Sequence, residues 1–206
     1  APTERYMPDN ELKRLALKYD LHMAQAQVKH FGTDGNLKIM GNMITHLEKY
    51  ITIYTETEVT DIDKSAHWLK CSTRDGRLDI TADRIILALG RAGSRFFYKW
   101  CQDNDIPVEN NQVDVGVRVE LPAIVWEEFS RRIYEPKIKY RSKAYGDTTR
   151  MFCFNERGSV VIENTDGVLT VNGHAYHDPA MKTTNSNFAL LTTIKFTEPF
   201  DNPIEY

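Results

Sequence analysis

The chain has 206 residues, 41% of them hydrophobic and 27% charged, enough for one large domain or two small ones with a substantial core. Lysine and arginine number 26 against 29 acids, a formal charge of −3, so no global field selects nucleic acid or a membrane surface. No apolar run approaches the roughly 18–20 residues that cross a bilayer. Three scattered cysteines (Cys71, Cys101, Cys153) give neither a CxxC pair nor an even disulfide set, which favours a reducing, cytoplasmic setting. The opening Ala-Pro-Thr and the closing Ile-Glu-Tyr are expected to be the ends of an excised piece.

In chain order, a helix is expected to begin near Asp9, with Leu12, Leu15, Ala16 and Tyr19 at helical spacing. His22 to Val28 suits a short strand. His30-Phe31-Gly32-Thr33-Asp34-Gly35 reads as a turn, and a second helix runs from about Asn36 to Tyr50. Leu37, Met40, Ile44 and Leu47 form its apolar stripe. Thr, Asp and two glycines before a helix amino end make a place where anions bind. Plain helix capping by Thr33 or Asp34 is the commoner use of such residues.

From Ile51 the chain turns to strands over 51–63, 66–73, 76–81 and 83–90, with Asp75-Gly76 as a hairpin signal. Arg84 to Gly90 is apolar without alternation, as expected of a strand covered on both faces. Its end in small residues lets a ligand approach backbone. Ser94 is placed to cap a helix reaching about Asn104, with Phe96, Phe97, Trp100 and Cys101 inward. Ile106 to Gln112 reads as a linker, so a domain boundary is expected at 106/107.

Val113, Val115, Val117, Val119 and Leu121 then alternate with Asp114, Gly116, Arg118 and Glu120, the clearest half-buried strand in the chain. Its polar face is either a ligand surface or a solvated one on which Arg118 pairs with Glu120 or Asp114. Ala123 to Tyr134 reads as a helix burying Ile124, Val125, Phe129 and Ile133. A basic strand follows, with Lys137, Lys139, Arg141 and Lys143 near Arg131 and Arg132. That face suits an anionic substrate, a nucleotide phosphate or nucleic acid. Lysines also protect an edge strand from aggregation, and that reading is preferred. The remainder is strand-rich: 149–155, 159–163, 168–171, 174–177 and 188–196. Turns are expected at 156–158, 165–167, Asn172-Gly173 and Asn185-Ser186-Asn187.

A metal site at His174, His177 and Asp178 is not expected, because positions three apart on a strand point to opposite faces. Cys153 has no partner cysteine and reads as a core residue. No nucleophile–base pair is recognisable from spacing. The candidates that remain are His30 as proton donor or acceptor, and Arg118 and Arg150 for a bidentate grip on a carboxylate. Thr33, Asp34, Asn172, Asn185 and Asn187 are the substrate or anion contacts.

Seven segments in order, HFGTDG, TEVTDI, ALGRAG, DVGVRVE, RMFCFNERGSVV, VNGHAY and NSNFALL, resemble a bacterial family of FAD-dependent dehydrogenases within the two-dinucleotide-fold flavoproteins. The similarity covers nearly the whole chain. It implies an α+β (mixed α/β) fold. Residues 1–106 would be part of an FAD/NAD(P)-binding domain with its three-stranded β-meander. Residues 107–206 would be an inserted, mainly antiparallel substrate-type β domain with one or two helices. The resemblance also implies that Val59 offers backbone to the adenine and that Ala88, Leu89, Gly90 and Arg91 lie beside the FAD. Leu89 stands where the superfamily has threonine, which removes a hydroxyl and leaves backbone contacts in place.

Family members begin with a strand–GxGxxG–helix unit and end with a further strand and helix. No GxGxxG occurs here. The chain is therefore expected to be a central fragment, inactive alone, of an oxidoreductase that holds FAD when intact. NADH or NADPH is the candidate electron source and a small molecule the substrate. The alternative, from another class, is a non-catalytic binding module using the basic 131–143 face for an anionic partner or nucleic acid. No membrane partner is expected, and open edges of a truncated fold favour self-association.

Overall fold

The computed structural model describes residues 5–6, 9–24, 26–27, 30–109, 111–165 and 167–194. The chain is mixed α+β. It opens with β1 (Arg5–Tyr6), α1 (Asn10–Leu17), β2 (Leu21–Ala24), β3 (Ala26–Gln27) and α2 (Gly32–Leu47). Next come β4 (Glu58–Asp63), β5 (Trp68–Thr73), β6 (Gly76–Thr81) and α3 (Ser94–Asp103). After β7 (Val113–Pro122) and a 3-10 turn over Ala123–Trp126 lie α4 (Glu127–Arg132), β8 (Lys137–Arg141) and β9 (Thr148–Asn155). The last elements are β10 (Ser159–Thr165), β11 (Val168–His174), a 3-10 turn at Pro179–Met181 and β12 (Asn185–Ile194).

Two compact units result: residues 1–41 with 110–206, and residues 42–109. The boundary expected at 106/107 has a counterpart at 109/110, but residues 1–41 go with the second half of the chain. The reason is strand pairing, because β2 joins β8 with Leu21 opposite Tyr140.

In the larger unit five antiparallel strands lie in the order β2-β8-β9-β12-β7. The alternation of β7 sorts its side chains by face, and its ladder with β12 carries that sorting across the sheet. Val119 lies opposite Phe188, Arg118 opposite Ala189 and Asp114 opposite Thr193. On the apolar face Met151, Phe154 and Phe188 are buried, with Val119, Leu121, Trp126, Ile138 and Leu190 packed on them. Trp126 meets Phe129 and Phe188 edge-on, at centroid distances of 5.5 and 5.4 Å. The other face carries Asp114, Arg118, Arg150 and Asn187.

Local rules account for much of this unit. Asp9 caps α1 by accepting from the Leu12 N–H at 2.9 Å, and Leu12 and Ala16 are buried one turn apart. Tyr19 lies beyond the helix and is exposed. Of the strand expected at 22–28, β2 and β3 are formed, and Val28 lies outside the described residues. β10 and β11 make a two-stranded ribbon with Thr165 opposite Val168, and Asp166 of the turn expected there lies outside the described residues.

Several expectations are corrected. β8 is an interior strand between β2 and β9, so its lysines do not guard an edge. Asn172 and Gly173 lie inside β11, opposite Val161 and Val160, because the ladder runs on through them. Asn185, Ser186 and Asn187 begin β12, with Ser186 and Asn187 fully buried, because they pair with the end of β7. The segment after Pro122 starts as a 3-10 turn, with about three residues per turn. That spacing buries Ala123 and leaves Ile124 and Val125 exposed at 75% and 69%. α2 starts at Gly32, and its stripe of Leu37, Met40, Ile44 and Leu47 stands exposed.

The smaller unit is built on the meander β4-β5-β6, whose second hairpin closes with Thr73 opposite Gly76. Ile62, Cys71 and Cys101 are its buried core, and the Trp100 indole N–H donates to the Ile62 carbonyl at 2.9 Å, fixing α3 on the meander. Ser94 does not cap α3 as expected; its hydroxyl bonds the Arg91 carbonyl instead. Residues 83–89 are not the expected buried strand. They run as coil with Ile86 91% exposed. A strand of this composition needs ladder neighbours and cover on both faces, and among the described residues it has no ladder partner.

Candidate functional site: a polar face centred on Arg118

Four strands bring their polar residues together at Arg118. From β7, its Nη1 donates to Asn187 Oδ1 on β12 at 2.7 Å and to the Cys153 carbonyl on β9 at 3.4 Å. Its Nη2 reaches Asn172 Oδ1 on β11 at 3.4 Å. Asn155 Nδ2 donates to the same Asn187 Oδ1 at 3.1 Å and to the Cys153 carbonyl at 3.0 Å. Asn172 Nδ2 in turn donates to Glu163 Oε1 at 3.1 Å.

The local backbone makes this convergence possible. Cys153 takes φ +51° in a bulge of β9, which puts one extra residue opposite β12 and turns its carbonyl and Asn155 toward Arg118. Gly173 leaves the room: a Cβ there would lie 2.3 Å from Asn155 Nδ2, 2.3 Å from Asn187 Oδ1 and 2.4 Å from Arg118 Nη1.

The network is incomplete. Arg118 Nε and Asn187 Nδ2 are buried with no hydrogen-bond partner, although Asn187 is fully enclosed. All of the Arg118 acceptors are neutral oxygens, and among the described residues no carboxylate pairs with it. The expected pairing to Glu120 or Asp114 is not made: Glu120 accepts from Asn185 at 3.2 Å, and Asp114 binds Arg150 and Thr193. A half-buried cation with unspent donors suits a planar anion such as a carboxylate.

His30 is part of a different knot. Its Nε2 lies 3.0 Å from Oε2 of Glu135, whose other oxygen takes Lys137 Nζ at 3.0 Å. Glu135 is only 6% exposed. Burial alone would raise its carboxyl pKa, but the bonds from His30 and Lys137 outweigh that and hold it below the usual value. The turn weighed as an anion site, with helix capping the preferred reading, is already filled. Thr33 N–H donates to the Ala175 carbonyl at 2.7 Å, and the Asp34 carboxylate accepts from the backbone N–H groups of His177 and Asp178 at 2.8 and 2.9 Å. Those two bonds lower the Asp34 pKa.

Arg150 contacts the Asp114 carboxylate, whose other oxygen accepts from Thr193 Oγ1 at 2.7 Å. The Thr193 bond first and then Arg150 depress the Asp114 pKa. Arg150 also lines a hollow of about 600 Å³ with Lys139, Gln112 and Thr148. Most cations of the 131–143 stretch are neutralised: Arg131 by Glu127, Arg132 by Asp9 and Glu11, Lys137 by Glu135 and Lys143 by Asp20.

The residues carried over for FAD lie in the smaller unit. Val59 is on β4, an outer strand of the meander, opposite Cys71. Leu89 and Gly90 border a cavity of about 250 Å³ with Leu87, Phe97 and Tyr98, while Ala88 is exposed. Gly90 takes φ +63°, and Arg91 holds the Ser94 hydroxyl through its carbonyl. A glycine-rich turn to seat the pyrophosphate is absent from the sequence, so the residues of this chain do not fit a whole FAD. The buried Cys71 thiol has its pKa raised by burial, which suppresses thiolate chemistry there.

Sequence reasoning had missed Asn155, Glu163, Gly173 and Glu135. The first three lie in segments rich in turn residues, and only the strand pairing shows that they converge. Among the described residues no His, Cys, Asp and Glu cluster is arranged for a metal ion, and no helix is long and apolar enough to cross a membrane. No family model matches the chain, and no curated protein matches it.

Proposed function

We propose that this chain is part of a cytoplasmic FAD-dependent oxidoreductase acting on a small anionic substrate, the smaller unit serving the flavin domain and the larger unit the substrate. The observation that carries the reading is the order of parts in residues 42–109. A three-stranded antiparallel meander leads through the Arg84–Leu89 coil to a left-handed Gly90 and then α3. That order goes with the sequence resemblance. The uncovered apolar stripe of α2 supports it as well, since such a face calls for further polypeptide to pack on it.

In this reading the flavin supplies the electron transfer when bound. The chain's own part is to bind and orient. Arg118, held by Asn187 and Asn172, grips the substrate carboxylate, and His30 beside buried Glu135 is the proton-carrying candidate.

The test is the visible absorption of the whole natural protein that carries this chain, purified without added cofactor. A flavin band bleached by NADH or NADPH is the expected result. A colourless protein that FAD does not reconstitute overturns the proposal.

A further inference from the structure

Away from the Arg118 face, on the apolar side of the larger unit, α1 faces the segment after Pro122 across an open cleft of about 770 Å³. Its walls are Leu12, Leu15, Leu121, Val125, Trp126 and Phe129. A hollow of this size, apolar inside and charged at its mouth, is the usual form of a small-molecule site.

The charges at the mouth are not evenly spent. Arg132 is closed by Asp9 at 2.6 Å and by Glu11 at 2.9 Å. Arg14 and Lys18, one helical turn apart on the α1 wall, are exposed, and among the described residues neither has an ion-pair partner. Like charges at this spacing repel each other unless an anion lies over both. Glu128 lines the opposite wall, and Glu11, on the α1 wall, is taken by Arg132, so the uncompensated positive charge lies at Arg14 and Lys18. Within the walls, Trp126 Nε1 is a buried donor without an acceptor. Leu15 and Val125 remain substantially exposed although both border the cleft.

We propose that this cleft binds an apolar monocarboxylate, its hydrocarbon body between Leu15, Val125 and Phe129 and its carboxylate over Arg14 and Lys18. The ligand covers the exposed leucine and valine and answers both cations. Charge complementarity selects the class. An amine would meet two cations at the α1 side, and a neutral lipid would leave them unanswered.

The proposal is tested with decanoate, decanol and decyltrimethylammonium as probes, below the concentrations at which they form micelles. Binding to the whole chain is followed by calorimetry and by fluorescence of a Trp68→Phe, Trp100→Phe variant that keeps Trp126 alone. Decanoate is expected to bind saturably, about tenfold more tightly than decanol, with the ammonium weakest. Reversing the charge in an Arg14→Glu, Lys18→Glu variant should weaken decanoate by about tenfold and leave decanol unchanged. Both side chains are exposed and unpaired, so the variant keeps its fold, which far-ultraviolet circular dichroism checks. Absence of saturable decanoate binding, equal affinity for decanol, or indifference to the charge reversal each overturns the proposal.

Discussion

Glu135 and Arg118 are both charged groups taken partly out of water in the same unit, and the protein treats them in opposite ways. Glu135 has a nitrogen partner on each oxygen, His30 Nε2 at 3.0 Å and Lys137 Nζ at 3.0 Å. Arg118 has only amide and carbonyl oxygens around it and a buried Nε with nothing to donate to. The first charge is closed by the fold and belongs to stability. The second is left open, and an open charge is what a ligand can complete.

The contrast is sharpest on removing each group. Glu135→Ala strands the Lys137 ammonium and the His30 ring nitrogen in a half-buried pocket and should cost about 3 kcal/mol in urea unfolding. If the loss is no larger than that of a surface site, the closed half of the comparison fails. The same residue sets a pH signature. Its folded pKa lies below the usual 4.5, so the stability it contributes is full above that value and is lost as pH falls through the folded pKa. Glu135→Gln should therefore flatten the acid limb of the stability profile.

Gly173→Ala and Asn187→Ala come next, at about 2 kcal/mol each. The first pushes a methyl group into the Arg118 network, and the second leaves the Arg118 and Asn155 donors without their shared acceptor. Calorimetric melting of both variants and of the double variant should show strong non-additivity, since each disrupts the same bonds. Simple additivity would separate Gly173 from the site. Arg118→Met should cost about 1 kcal/mol or less, because no ion pair is broken, while abolishing protection against thermal unfolding by short polar carboxylates, which lack the hydrocarbon body that the apolar cleft takes. A loss as large as that of Glu135→Ala would make Arg118 a structural charge after all. The smallest effect, within about 0.5 kcal/mol, belongs to Lys139→Ala, whose side chain is exposed in the Arg150 hollow.

What could be read from the sequence follows the range of the forces involved. The Asp9 cap, the meander from Glu58 and the strand β7 are local, and each formed where the residues said it would, although Val113, Val115 and Val117, on the face of β7 expected to be buried, stand exposed. Pairing is not local. The apolar run Arg84–Leu89 has the composition of a buried strand and remains coil because no neighbour pairs with it. Asn172-Gly173 and Asn185–Asn187 have the composition of turns, yet the ladders of β11 and β12 run through them and leave Asn187 enclosed. The lysines of β8 looked like edge protection until β2, from the other end of the chain, covered that side. Arg118 was legible as a candidate from its place on the polar face. Its partners were not, because a bulge at Cys153 and the missing side chain of Gly173 set their convergence.

The pairing of β2 with β8 also fixes a timetable. Residues 42–109 form a contiguous unit whose strands are joined by short turns, so it can close as soon as it has been made. The larger unit is split around it. Leu21 must wait for Tyr140, on the order of 120 residues later, which at the pace of a ribosome is about 10 s. During that interval α1 and β2 have no sheet to join, and the apolar side of the nascent helix, Leu12 and Ala16, is open to whatever holdase meets it first.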